Sequence, residues 1–190
     1  MRPRGSAMSG AARPALTGGM TQTTGSVRRA GRLDGWVLGA ATVATGLVAG
    51  SFYVFGCAVM PALARSGDRT FIEVMQNINA VIQNPMFFLG FLGALALTGV
   101  AGWRLRAAAG VRGWAWAGLV LYGLAFVLTS ALNVPLNDAL AAAGPPSRIP
   151  DPARVRGDFE GPWVTWNVVR AVLCTGALGC LVRAGFRFPR

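Results

Sequence analysis

One charged residue, Arg170, lies inside the last apolar stretch of the sequence. Trp163, Trp166 and Asn167 precede it by seven, four and three residues, which places all four side chains on one helical face. Because burying an arginine near the centre of a bilayer costs about 2.5–3.5 kcal/mol on insertion scales, Arg170 should face protein or water. A guanidinium among amides suits an anionic or carbonyl-rich ligand better than a metal. We predict catalytic roles for Arg170 and Asn167 and substrate-binding roles for Trp163 and Trp166.

Amide side chains mark the ends of two further apolar stretches. Asn133 and Asn137 flank Pro135, where the missing N–H predicts a kink or the end of a helix. More amides precede the second apolar stretch, and the topology puts all of them at the same end of the bundle as Arg170. They would form an amide-rich pocket lined by aromatic rings. The amides predicted to bind substrate are Gln76, Asn79, Asn84, Asn133 and Asn137.

A purely structural role explains the same residues equally well. Asparagines at helix ends often cap helices or contact lipid headgroups. Arg170 would then form an ion pair that joins two helices, with Asp138, Asp158 or Glu160 as its partner. Asp138 and Glu160 are also the candidates for a catalytic base, and each could equally be a solvated loop charge.

The sequence contains no histidine, which removes the commonest metal ligand and the usual general base. The cysteines, Cys57, Cys174 and Cys180, all lie in apolar stretches and are interpreted as small buried hydrophobic residues. We therefore expect neither a metal site nor a cofactor.

The elements that must position these residues are four apolar stretches. Hydrophobic residues make up 53% of the 190-residue chain and charged residues only 13%, about half the charged fraction of a soluble domain. The stretches cover residues of about 36–60, 86–103, 113–134 and 163–182, each close to the length needed to cross a bilayer. The prediction is an all-α integral membrane protein whose domain, residues 34–185, is a four-helix bundle.

A fifth helix is predicted between the first two stretches. Phe71, Met75, Ile78 and Ile82 follow helical spacing within residues 68–83. This amphipathic helix would lie on the membrane surface or cap the mouth of the bundle.

The distribution of charge predicts the orientation. All 18 basic residues are arginines, and the net charge is +11. Residues 1–33 are expected to be a disordered basic tail, and residues 186–190 a short basic one. The N-terminal tail, the loop at 104–112 and the C-terminal end from Arg183 onward carry 12 arginines, whereas the other two loops carry five arginines and six acids. The positive-inside rule then places both termini in the cytoplasm, with the protein in the cell membrane. No folded module for nucleic acid accompanies the basic tail.

Three segments together resemble a known family. They are SFYVFGCAVMPALARSGDRTFIEVMQNINAVIQNPMFFLGFLG (51–93), LNVPLNDAL (132–140) and FEGPWVTWNVVRAV (159–172). Their order and spacing resemble the anthrone oxygenase family of small bacterial and fungal membrane proteins, over residues 40–182. The resemblance implies a four-helix membrane fold and, for some members, cofactor-independent oxidation of an anthrone to an anthraquinone.

The resulting hypothesis is a membrane-embedded oxygenase that acts on a lipophilic phenol or anthrone-type substrate. A base would form an electron-rich enolate that reacts with O2, and Arg170 and the amides would stabilise the oxyanion. The alternatives are a non-catalytic protein that binds a lipid, quinone or small metabolite, and a transporter or accessory subunit. The expected partners are membrane lipids and a lipophilic aromatic molecule, with a homodimer left open and no nucleic acid.

Overall fold

The structure is a computed structural model that describes residues 31–188. Its four long helices are apolar enough to cross a membrane: α1 (Arg32–Leu63), α3 (Pro85–Arg104), α4 (Arg112–Ala142) and α5 (Pro152–Phe186). A shorter amphipathic helix, α2 (Asp68–Ile82), connects α1 to α3. The predicted all-α fold of four apolar helices with an additional amphipathic helix is confirmed.

The predicted tails lie largely outside the described residues, which exclude 1–30 and 189–190. The helix α1 begins at Arg32, within the segment that we expected to belong to the N-terminal tail. Its first turn is closed by Asp34, whose carboxylate accepts a hydrogen bond from the Gly31 N–H at 2.8 Å. At the other end of the chain, α5 ends at Phe186.

Two helices are longer than the apolar stretches from which they were predicted. The predicted third span ends near residue 134, but α4 continues to Ala142. The predicted fourth span begins at residue 163, but α5 begins at Pro152, where the Asp151 side chain accepts a hydrogen bond from the Arg154 N–H at 3.0 Å. Proline in the first turn and an aspartate cap both favour a helix start. An apolar stretch therefore marks the part of a helix suited to lipid, not the whole helix.

Each of α1 and α4 contains one π turn, at Phe55–Val59 and at Thr129–Asn133. In these turns the backbone N–H bonds to the carbonyl five residues back: Met60 to Phe55, and Val134 to Thr129. A proline, Pro61 or Pro135, follows one residue after each of these donors. Because proline lacks an N–H and its ring clashes with the carbonyl four residues earlier, the helix widens locally. The expected kink or stop at Pro135 is thus a π turn, and the helix continues.

One end of the bundle, here called the closed end, is filled by small and aliphatic side chains. It brings together the start of α1, the α3–α4 connection and the end of α5. The buried residues that define it are Leu38, Ala41, Ala101, Leu105, Val111, Ala115, Leu181 and Ala184. Just beyond this cluster Gly118 of α4 approaches α5 so closely that an added Cβ would lie 3.1 Å from Leu181.

The opposite end, here called the cavity end, is covered by α2. Phe71, Ile72 and Met75 of α2 are fully buried against α4 and α5. Arg156 of α5 fixes this arrangement, because its guanidinium bonds to Asp68 at 3.0 Å and to Glu160 at 2.7 Å. The amphipathic helix therefore caps the mouth of the bundle, one of its two expected positions.

Candidate functional site

A cavity of about 350 Å³ lies at the cavity end, between α1, α2, α3, α4 and α5. Aromatic rings form much of its wall: Phe52, Phe55, Phe87, Phe88, Phe91, Phe126 and Trp163. Its polar lining residues are Ser51, Asn79, Gln83, Thr129, Ser130, Asn133, Asn137, Asp138, Asn167 and Arg170. Below it, Tyr122 of α4 donates a hydrogen bond to the Phe91 carbonyl of α3 at 2.8 Å, which joins two walls of the cavity.

The guanidinium of Arg170 lies in the cavity wall and is almost fully buried, with 4% of the residue exposed. It donates to Asn167 Oδ1 at 3.2 Å and to Thr129 Oγ1 at 3.3 Å. Its carbon Cζ lies 4.4 Å from the ring centre of Phe52 and 5.7 Å from that of Trp163. Neutral amide, hydroxyl and aromatic groups thus surround the cation.

The alternative in which Arg170 is a structural ion-pair partner is wrong for this fold. Glu160 pairs with Arg156 at 2.7 Å, and Asp158 is 3.8 Å from Arg154. Within residues 31–188, no salt bridge includes Arg170 or Asp138. The positive charge in the cavity wall is therefore not neutralised by a carboxylate in direct contact.

Three buried polar atoms at the cavity have no hydrogen-bond partner among the described residues: Asn79 Nδ2, Asn133 Oδ1 and Arg170 Nε. Buried polar atoms are nearly always paired, and leaving one unpaired costs about 1–3 kcal/mol. Two of these atoms are donors and one is an acceptor. Their presence in one cavity indicates a surface suited to a ligand with polar groups.

The amide orientations follow from their contacts. Asn167 donates to the Phe52 carbonyl of α1 at 2.9 Å, so its oxygen is the atom that faces Arg170. Asn133 donates to the Trp163 carbonyl at 3.4 Å, which leaves its oxygen as the unpaired atom. Asn137 accepts from the Trp163 indole N–H at 2.9 Å. The Asn167 bond ties α5 to α1, and the two bonds with Trp163 tie α4 to α5 along the cavity.

Six of the nine residues predicted to form the site line this cavity: Asn79, Asn133, Asn137, Trp163, Asn167 and Arg170.

The other three lie outside its lining. Gln76 donates to the Leu140 and Gly144 carbonyls at 2.8 and 3.1 Å, which attaches α2 to α4. Asn84 caps α3, since its oxygen accepts from the Phe87 N–H at 3.0 Å. Trp166 is partly exposed on α5.

The sequence reasoning missed the aromatic walls and the hydroxyl groups of the site. Phe52 and Phe91 look like lipid-facing residues when only an apolar stretch is visible. Thr129 and Ser130 gave a weak signal, because two adjacent hydroxyl residues end an otherwise apolar stretch just before Asn133. The π turn that begins at Thr129 was not foreseen either.

Comparison with known proteins gives one match. The sequence model of the anthrone oxygenase family matches residues 75–180, more than half of the chain. Searches of curated proteins and of solved structures found no match. The matched segment contains all nine predicted site residues and begins after α1, so it is shorter than the 40–182 over which the sequence resembles the family.

Proposed function

We propose a function for this chain from its family: the chain belongs to the anthrone oxygenase family. The proposed reaction is the oxidation by O2 of a lipophilic phenol or anthrone-type substrate held in the cavity. Two residues are proposed to bind the substrate's oxygen, Arg170 and Asn79. Asn167 is proposed to hold Arg170 in position.

The observation that carries this proposal is the buried, unneutralised charge of Arg170. An isolated cation in a low-dielectric setting is costly unless something compensates it. A substrate oxygen that becomes an anion during the reaction would supply that compensation, and it would do so most strongly when the charge has developed. An interaction that strengthens as charge develops lowers the barrier rather than only tightening binding.

The shape of the cavity suits a flat aromatic molecule. Its volume of about 350 Å³ falls within the range typical of small-molecule sites. The rings of Phe91 and Phe126 are stacked with centres 5.2 Å apart, and Phe87 stacks on Phe91 at 5.6 Å. Rings of this kind favour offset or edge contacts with another aromatic molecule.

The proposed chemistry uses the acidity of a methylene group that lies opposite a carbonyl in the same ring and is conjugated with it through the flanking aromatic rings. Removal of one proton leaves its electron pair on the substrate as an enolate, whose oxygen faces the guanidinium of Arg170. The enolate gives electrons to O2 as a carbon–oxygen bond forms, which produces a peroxide. Loss of water then leaves a carbonyl, so one atom of O2 enters the product and the other leaves as water. An anthrone would thereby become an anthraquinone.

Asn167 has a positioning role in this scheme. Its oxygen accepts from Arg170 and its nitrogen donates to the Phe52 carbonyl, so it links the guanidinium to the backbone of α1. Replacing Asn167 would let the guanidinium move relative to the substrate oxygen. Small displacements of a charged group strongly reduce its effect on the reaction.

We also propose that the four long helices span the cell membrane with both termini in the cytoplasm. The arginines near the closed end support this orientation: Arg104, Arg106, Arg112, Arg183 and Arg187. The cavity end would then face the opposite side. Reporter domains fused to each terminus, one active only inside the cell and one only outside, test the orientation directly.

The function is tested with protein purified in mild detergent and with anthrone as the probe. Oxygen consumption and anthraquinone absorbance are followed together, after subtraction of the uncatalysed reaction. The wild type should form one anthraquinone for each O2 consumed, and Arg170→Gln should lose most of this activity. Arg106→Gln is the control, because Arg106 lies far from the cavity and stacks on Trp103. A wild-type protein that does not accelerate the reaction contradicts the proposal.

The unpaired atoms of Asn79 and Asn133 also support a second function, binding without chemistry. A protein that only binds a quinone would be thermally stabilised by anthraquinone and would form no product from anthrone. Loss of this stabilisation in Arg170→Gln would still locate the ligand in the cavity. Product formation by the wild type excludes this second function.

A further inference from the structure

Asp138 and Arg170 are the only ionisable residues among the described residues that line the cavity. The sequence left Asp138 and Glu160 as equal candidates for a base. The structure separates them, because Glu160 is bonded to Arg156 and is not part of the lining. Asp138 forms no salt bridge within residues 31–188. One carboxylate and one guanidinium therefore contribute to the same cavity without pairing with each other.

The π turn of α4 explains why Asp138 reaches the cavity. An α-helix turns about 100° per residue, so Asp138 would be rotated by about 120° from Phe126, another lining residue, if α4 were regular. The turn at Thr129–Asn133 accommodates one additional residue. The additional residue rotates the following segment back by about 100° about the helix axis. Asp138 then lies only about 20° around the helix from Phe126. The proline that widens the helix thus aligns the carboxylate with the cavity.

The position of Asp138 also gives its proton a route to water. Asp138 is exposed, whereas Arg170 is buried. Its neighbour Asn137 is fixed by the Trp163 indole, which restrains this turn of α4 beside the cavity. A carboxylate at the mouth of an apolar cavity can contact a bound molecule on one side and exchange protons with water on the other.

We propose that Asp138 is the proton acceptor of the oxidation, an inference that rests on the proposed function. Its carboxylate takes one proton from the substrate methylene, and the electron pair stays on the substrate as the enolate. After O2 adds, the protonated Asp138 returns its proton to the peroxide anion. The carboxylate then removes the second proton from the same carbon as the oxygen–oxygen bond breaks and hydroxide leaves. That proton and the hydroxide form water, which restores Asp138 to its starting state.

The test compares Asp138→Asn with the wild type in the anthrone assay. A general base typically contributes about 10²–10⁴-fold, so turnover should fall by at least about 10²-fold. Binding of anthraquinone, which has no proton to lose, should change by less than about threefold, since the replacement keeps shape and most contacts. In Asp138→Ala, added formate should restore part of the turnover, because a small carboxylate can enter the space of the lost side chain. A residue with only a structural role would not be rescued in this way.

Asp158→Asn is the matched control. Asp158 is also an acid near the cavity end, but it is strongly exposed, faces Arg154 and is not part of the lining. Its replacement should leave turnover unchanged. If the wild type is active and Asp138→Asn is equally active, this inference is overturned while the proposed function stands. If the wild type itself is inactive, the proposed function fails first.

Discussion

The closed end and the cavity end are built from the same four helices but treat buried charge in opposite ways. At the closed end Arg104 of α3 pairs directly with Asp34 of α1. At the cavity end Arg170 is more deeply buried, yet amide, hydroxyl and aromatic groups surround it in place of a carboxylate. A charge that only joins helices is best neutralised, whereas a charge that acts on a ligand must remain available to it.

Backbone geometry differs between the two ends in the same sense. Both π turns, Phe55–Val59 and Thr129–Asn133, lie beside the cavity, and the segments of α1 and α4 at the closed end are regular α-helix. Regular helices allow the close approach of Gly118 to Leu181. Widened turns instead rotate side chains toward the cavity and space the helices around it. The prolines that follow the π turns, Pro61 and Pro135, therefore lie in the half of the bundle that contains the cavity, and the closely packed half consists of regular helix.

The largest expected effect separates activity from stability at the cavity end. Arg170→Met should lower turnover by about 10²–10³-fold, because the substrate oxyanion loses its cation. The free energy of unfolding should change by no more than about 1 kcal/mol, because removing an unneutralised buried charge offsets the loss of the hydrogen bonds to Asn167 and Thr129. Turnover and detergent-induced unfolding, measured on the same preparation, check both values. A variant that loses stability and activity in proportion would show that Arg170 serves the fold.

The next effect concerns packing at the boundary of the closed end. Gly118→Leu should lower the free energy of unfolding by about 2–3 kcal/mol, because the added side chain meets Leu181 and the Ala177 carbonyl. Turnover per folded molecule should remain as in the wild type. Gly123→Leu is the control on the same helix, because an added Cβ there meets nothing within 4 Å. Equal destabilisation by the two variants would contradict the tight contact.

The sequence was sufficient to predict the helices and part of the polar lining of the cavity, for a physical reason. Apolar length and spacing depend on local sequence, so the four long helices, α2 and the shared face of Trp163, Asn167 and Arg170 were all predictable. Antiparallel topology then brought Asn133 and Asn137 to the same end of the bundle. The amides of Gln76 and Asn84 look identical in sequence to those of the cavity, and only their tertiary partners separate the two groups.

What the sequence could not provide is the rotation of side chains around each helix beyond the π turns. Pro135 predicts an irregularity in the helix, but a kink, a helix end and a π turn are all compatible with a proline. Only the π turn puts Asp138 in line with the cavity. The aromatic walls were hidden for a related reason, since phenylalanine is equally suited to lipid and to a cavity.

A smaller effect is expected when the ion pair between Arg104 and Asp34 at the closed end is broken. Arg104→Met takes one partner from Asp34, which is largely buried. We expect the free energy of unfolding to fall by about 1–3 kcal/mol, as for other hydrogen bonds to a buried charged group. Detergent-induced unfolding measures this fall, and turnover per folded molecule should be unchanged. If Arg104→Met and Arg170→Met alter stability equally, the two arginines do not differ in the way described here.

The smallest expected effect concerns the unpaired amide nitrogen of Asn79. Removing it costs the free protein little, because Asn79 Nδ2 has no partner among the described residues. Its proposed role appears only when a carbonyl oxygen occupies the cavity, and a neutral hydrogen bond contributes about 0.5–1.5 kcal/mol. Asn79→Ala should therefore weaken anthraquinone binding by about threefold to tenfold and leave the unfolding transition in place. Asn77→Ala is the control, because Asn77 is an exposed neighbour on α2 outside the lining, and this variant should bind as the wild type does.

Equal binding by Asn79→Ala and the wild type would mean that α2 covers the cavity without contacting its ligand through this amide. Weaker binding would instead make α2 part of the site, so that the helix which closes the bundle mouth also recognises what lies beneath it.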